Sequence, residues 1–209
     1  MPYQFQFFIN NHLHFSGDLE RKRCIAHNKN GTQCKRQVCI GLPYCFQHSL
    51  SVKHLKVKQS TIPGAGKGLF AIDPTKRQTA TIFSPEKDRG KIIEYTGQLM
   101  NLRDIHERYD EYDEEGNRIA EHTAPYALEL NRRKGVDSAL SRGIGSIANH
   151  KPIDECNAIF KVKKENHRQK LFLIAIKAIK NGDEIFVDYQ DEYDLDDPEE
   201  SNRTVYKRN

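Results

Sequence analysis

The 209-residue sequence contains no tryptophan, which excludes nothing, and no long apolar run, which excludes a helical membrane span. Its longest uninterrupted apolar stretch is LFLIAI at 171–176, where a spanning helix needs about 18 residues or more. The opening MPYQFQFFINNHLHF lacks a basic segment followed by an apolar one, so no secretory leader is expected. No repeat recurs at any period. A phosphate-binding loop is missing as well. Gly64-Ala65-Gly66-Lys67-Gly68 has Gly68 where Ser or Thr would follow the lysine, and Leu69 where the dinucleotide fingerprint needs a glycine. It also precedes an apparent strand, KGLFAI, rather than a helix. What remains is a loop with little side-chain bulk, whose backbone a ligand or another chain segment can touch closely.

What is present points to a folded, polar protein. Apolar residues make up 37% and charged residues 30%, with a mean hydropathy of −0.77. A chain of this length buries about 70% of its unfolded surface, enough for a real core, and its size predicts one main domain with a small extra module. The net charge of +4 says less than its distribution. Residues 20–58 carry nine Lys/Arg against Glu20 alone, whereas 103–121 carry eight Asp/Glu and 191–200 carry seven acids without a base. Each run alone reads as a solvated face, but two acidic stretches flanking a site favour a basic substrate.

Four of the five cysteines, Cys24, Cys34, Cys39 and Cys45, fall within 22 residues. Without a secretory leader, metal is a stronger reading than a disulfide framework. The segment RCIAHNKNGTQCKRQVCIGLPYCFQH offers six soft ligands, those cysteines with His27 and His48, for a four-coordinate zinc. Cys45-Phe-Gln-His48 can present two ligands from one turn, and Asn30-Gly31 predicts a tight turn bringing Cys24 and Cys34 together. The segment resembles a short zinc-binding knuckle pattern, which implies Cys24, Cys34, Cys45 and His48 as the ligands, with His27 and Cys39 as spares. Such a zinc is structural, since four protein ligands leave no open position.

From residue 54 the texture changes to short β-like runs. HLKVKQS, KGLFAI, KIIEYTG, PYALEL, AIFKVK, KLFLIAI and EIFVDY are seven predicted strands, and helical periodicity is best from Leu102 to Tyr112. A mainly β fold with short helices, in the α+β class, follows.

Four segments taken in order, IPGAGKGLFAI, KIIEYTGQL, GVDSALSRGIGSIANH and NGDEIFVDYQDEY, resemble successive motifs of the SET-domain protein lysine methyltransferases, most nearly the small viral-type members. The resemblance covers roughly residues 54–195. It implies a β-clip-like fold with a pseudoknot and S-adenosylmethionine as cofactor. The implied cofactor contacts are the backbone at Lys67, Gly68 and Leu69, together with Tyr126, Asn149, His150 and Tyr189. Tyr189 is the implied catalytic tyrosine, with Tyr193 a second active-site tyrosine. The expected organisation is a lead-in at 1–19, a zinc knuckle at 20–50, the SET domain at 54–195 and a tail at 196–209.

Two departures stand out. Asn149-His-Lys-Pro-Ile-Asp-Glu-Cys-Asn157 is two residues longer than the usual motif, and no cysteine follows Cys156 in this sequence, so the zinc-bound segment that follows the domain in many relatives is not expected. The implied activity is methylation of lysine side chains in a basic protein, foremost a histone tail, in the nucleus (the host nucleus for a viral member). The basic N-terminal segment adds nucleic acid as a partner, and no membrane partner is expected. The competing reading is a non-catalytic chromatin or nucleic-acid binding module built on the same fold.

Overall fold

The computed structural model describes residues 6–9, 12–15, 22–38, 43–113, 115, 117–120 and 126–189. All seven runs expected to be strands are strands. Six form one sheet in the order Leu55–Gln59, Lys67–Ala71, Glu184–Val187, Ala158–Glu165, Arg168–Ala175 and Lys91–Glu94. The seventh, Ala127–Asn131, joins Lys134–Asp137 and Gln98–Asn101 in a second, three-stranded sheet.

The local causes are legible. Along Ala158–Glu165 the buried positions alternate through Ala158, Phe160 and Val162, while Lys161 and Lys163 face outward, the period-2 pattern of a half-covered strand. Its partner Arg168–Ala175 is buried continuously from Leu171 to Ala175, as expected where both faces are covered. The two are joined by Asn166 and His167, both at positive φ (50° and 63°), the conformation that matches a two-residue hairpin loop to strand twist. One core runs through Leu69, Ile93, Phe160, Leu173, Ile185 and Val187; full burial of each large apolar side chain contributes about 1.5–3 kcal/mol.

Helix α1 (Phe46–Lys53) was not anticipated, because its sequence FQHSLSVK is polar and lacks an apolar stripe. Helix α2 (Leu102–Tyr109) falls where periodicity predicted it and buries Ile105 and Tyr109, four apart on one face. These two pack with Tyr126, Ala127 and Ala139 in a separate small cluster. The lead-in contains a hairpin, Gln6–Ile9 with His12–Phe15, that sequence reading also missed.

The strand Glu184–Val187 is the topological centre. It runs antiparallel to Lys67–Ala71 and parallel to Asn149–His150. Val187 pairs with both His150 and Ala158, so the chain near its end passes through the loop that connects them. This is the pseudoknot the sequence resemblance implies. Asn157 locks it. Its side-chain amide donates to the Glu184 carbonyl at 2.9 Å, and its Oδ1 accepts the Phe186 N–H at 2.9 Å.

Asn157→Ala should therefore leave two groups of the threaded strand unpaired, costing about 1–3 kcal/mol of unfolding free energy. Denaturant titration checks this: a lowered midpoint with an unchanged slope is expected.

Candidate functional site

Two constellations of reactive side chains occur among the described residues. The first is built by a hairpin and a helix. Bridges pair Arg23 with Gln37 and His27 with Gln33. The turn between is closed by Gly31 at φ 78° and by Asn30 Oδ1, which accepts the Thr32 N–H at 3.1 Å and hydroxyl at 2.7 Å. That geometry sets Cys24 beside Cys34, and α1 delivers His48 one turn after Cys45.

The ligand atoms of Cys24, Cys34, Cys45 and His48 all lie within 4.8 Å of one another. His48 Nδ1 is 3.5 Å from Cys24 Sγ and 3.3 Å from Cys45 Sγ. The Cys34 and Cys45 sulfurs are 4.0 Å apart, far beyond the roughly 2.05 Å of a disulfide. Backbone amides of Arg36 and Cys45 donate to Cys34 Sγ and Cys24 Sγ, the outer contacts that suit thiolates. Burial pushes the Cys45 thiol up, but hydrogen bonds involving His48, Cys24 and Cys34 outweigh it and bring the thiol down to about 6. His27 sits on the hairpin outside the group, and Cys39 lies outside the described residues.

The second constellation surrounds the threaded strand. Asn149 reaches across to the glycine loop, its Nδ2 donating to the Lys67 carbonyl at 3.0 Å and to Glu184 Oε1 at 3.1 Å. Glu184, only 5% exposed, also accepts from Ser60 Oγ (2.7 Å) and from the N–H and hydroxyl of Thr61 (2.7 and 2.6 Å). Burial pushes its carboxyl up, yet the bonds from Thr61, Ser60 and Asn149 prevail and hold it below the ordinary glutamate value. Gly68 is required here: a Cβ would lie 2.0 Å from Glu184 Oε1, an atom its hydrogen bonds keep in place.

Tyr189 follows the strand. Its N–H donates to His150 Nδ1 at 3.0 Å, and its hydroxyl donates in a short bond to the Ala148 carbonyl. The two rings lie 5.2 Å apart. Since Nδ1 accepts, the neutral imidazole carries its proton on Nε2; the Asp188 carboxylate is 3.6 Å from Nδ1.

Tyr126 joins this centre through Tyr95, whose hydroxyl donates to the Tyr126 carbonyl at 2.8 Å. Burial pushes the Tyr95 phenol up, and the field of Tyr189 adds to the effect. The Arg142 guanidinium lies over the Tyr126 ring, 3.9 Å from its centroid. Below them Asp137, fully buried, accepts from Arg108 Nη1 (2.7 Å), the Tyr109 hydroxyl and the Ala139 N–H (2.9 Å).

Of the expected site residues, Lys67, Gly68, Leu69, Asn149, His150 and Tyr189 are thus brought together around one strand, with Tyr126 linked through Tyr95. Tyr193 lies outside the described residues, as does Glu114 in the acidic insert. Sequence reasoning missed Glu184, Tyr95 and Arg142. Each lies inside a quoted motif, but the partners of Glu184 are separated from it by 35 to 124 positions, which no local pattern exposes.

The SET domain family matches residues 66–190, more than half of the chain. Histone-lysine N-methyltransferase EZH2 of Chaetomium thermophilum is 29% identical over 150 residues, covering 68% of this chain and 8% of that protein. The H3 lysine-4 specific histone-lysine N-methyltransferase of Mycosarcoma maydis is 28% identical over 165 residues, covering 79% of this chain and 10% of that one. The structure of ctPRC2 from Chaetomium thermophilum, in an autoinhibited conformation bound to S-adenosylmethionine, is 27% identical with a TM-score of 0.48, over 66% of this chain and 15% of that chain. The chain therefore spans no more than a tenth of the length of these two curated relatives.

Because the folded state depresses the Glu184 pKa, its contribution to stability is fully present above the ordinary glutamate value of about 4.3 and is lost as pH falls through the folded value. Unfolding midpoints of the wild type and Glu184→Gln measured against pH should differ most near neutrality and converge in acid.

Proposed function

Since the chain belongs to the SET-domain family, we propose that it is a protein-lysine N-methyltransferase, using S-adenosylmethionine to methylate a basic protein, foremost a histone tail, in the nucleus. The observation that carries this reading is the convergence of Lys67, Asn149, His150 and Tyr189 on one threaded strand. The names of the curated relatives support the reaction class.

The residues present fit the methyl donor chemically. The loop at Gly64–Gly68 brings peptide N–H and C=O groups forward with little side-chain bulk, and the neutral His150 ring has an Nε2–H donor to offer. When bound, the donor supplies a methyl group on a cationic sulfonium. The protein's part is alignment and deprotonation of the acceptor. Alignment of two bound reactants can supply about 7–11 kcal/mol of the barrier. A lysine amine of pKa about 10.4 is neutral in only roughly one molecule in 2,500 at pH 7, and a desolvated channel beside positive charge lowers that pKa. Tyr189 can then orient the amine. Its proton is committed to the Ala148 carbonyl, so its oxygen is left to accept an N–H of the substrate, directing the nitrogen lone pair elsewhere.

Cys24, Cys34, Cys45 and His48 hold one structural zinc in this reading, making residues 20–50 a knuckle appended to the catalytic domain at 54–195. The cluster of ligand atoms supports it. So does the scarcity of apolar surface there; zinc can supply about 10 kcal/mol or more to such a segment. The basic run at 20–58 is a surface for nucleic acid, supported by its charge.

The test is transfer of labelled methyl to a mixed panel of histones and cell lysate, with Tyr189→Phe as the control. The variant should lose roughly 100-fold or more in turnover while binding the donor within a few fold of wild type. Near-normal turnover would shift the role to Tyr193, and donor binding without any transfer would favour the non-catalytic module. Metal analysis should return one zinc per chain; Cys45→Ser should abolish it, and Cys39→Ser should not.

A further inference from the structure

Three lysines at the junction of the cysteine module and the first sheet are not matched by acids. Lys53, Lys56 and Lys58 form no ion pair among the described residues. Each ammonium lies over an aromatic ring instead. Lys53 Nζ is 6.0 Å from the Tyr44 centroid, Lys56 Nζ 5.1 Å from that of Phe46 and Lys58 Nζ 3.9 Å from that of Phe70. Lysines farther along the sheet behave otherwise: Lys91 and Lys170 are met by Glu165 and Glu94. A ring attracts an ammonium through its quadrupole but does not neutralise it. Lys56 and Lys58, two apart on the edge strand Leu55–Gln59, lie on one side of it.

The rings differ in what they offer. Phe70 is 1% exposed beneath Lys58, whereas Phe46 is 58% exposed. Phe46 and the half-buried Tyr44 flank Cys45, whose burial in the sulfur cluster fixes the backbone between them. Beside them a cavity of about 600 Å³ opens between the module and the sheet. Ile25, Tyr44 and Lys53 line one wall, and Phe83, Lys87 and Phe172 the other. Exposed rings set among unneutralised lysines are the two components of a surface for single-stranded nucleic acid: a ring stacks a base and an ammonium meets a phosphate. A duplex would use only the lysines, because its base faces are covered by their neighbours in the stack.

We propose that this junction binds single-stranded RNA. One unpaired base stacks on Phe46 and a neighbouring base enters the cavity beside Tyr44, while Lys53, Lys56 and Lys58 exchange ring faces for phosphates. The assignment rests on the nucleic-acid reading of residues 20–58, and it adds the strand state and the residues that receive the bases. RNA is the occupant because its loops and ends present unpaired bases, where DNA keeps them in the duplex. None of these residues belongs to the constellation around Tyr189.

The experiment uses the full chain. Fluorescence anisotropy compares a short labelled single-stranded RNA with the same sequence as single-stranded DNA and as duplex DNA. RNA should bind at least as tightly as single-stranded DNA, and both more tightly than the duplex. Phe46→Ala should weaken RNA binding about 5- to 100-fold, the range one stacked base contributes, and leave duplex binding unchanged. The sequence has no tryptophan, so Phe46→Trp supplies a lone indole whose emission should change on adding RNA and not on adding duplex. Lys56→Met should weaken all three ligands and reduce the slope of log K against log salt for RNA by about 0.7.

Duplex bound as tightly as RNA, a preference for single-stranded DNA over RNA, or an unaltered RNA affinity in Phe46→Ala overturns the assignment. Should Phe46→Ala fail to fold, the indole decides: emission unchanged at saturating RNA excludes stacking at that position. Failure of wild type to bind any of the three ligands would instead sink the nucleic-acid reading of residues 20–58 itself.

Discussion

The passage of one strand through a closed loop is the constraint on which the rest of this structure depends. Glu184–Val187 pairs with Lys67–Ala71, with Asn149–His150 and with Ala158, so three distant segments share one backbone ladder. The side chains that matter follow from it. Glu184 at one end of the strand accepts from Asn149 and the Ser60-Thr61 turn, and Tyr189 just past the other end donates to Ala148 and His150. Drawing the strand out would separate all of them at once. Long-range pairing of this kind forms only after loop-closure entropy has been overcome, which makes such topologies slow to assemble.

Two parts of the chain solve the problem of stability by different physics. The main domain buries a continuous apolar core. The module around Cys24 has only a small buried cluster, three of whose four members are the cysteines themselves, with Val38. A segment with so little apolar surface depends on what its sulfur and imidazole groups bind. Its basic hairpin turns most of its charge outward, whereas the buried acids of the main domain, Glu184 and Asp137, are each met by several donors. Buried polar groups are costly unless paired.

Local sequence determined a great deal here. Short runs rich in β-branched and aromatic residues located the seven strands, and helical periodicity from Leu102 to Tyr112 located α2. The four collinear motifs named the fold, and Cys45-x-x-His48 with the Asn30-Gly31 turn named the metal-ligand candidates. Helix α1 escaped because FQHSLSVK has no apolar face; it is held between the cysteine cluster and the first sheet strand instead of by its own periodicity.

What only the tertiary structure decided is which groups meet. No local pattern says that Glu184 underlies Gly68, that Tyr95 bridges Tyr126 toward Tyr189, or that the Arg142 guanidinium lies over the Tyr126 ring. Those contacts depend on closing loops of tens of residues and on the order in which strands lie in the sheet. Secondary structure is set by neighbours along the chain, which a sequence displays directly. A site is set by neighbours across it, which exist only once the strand Glu184–Val187 has been threaded.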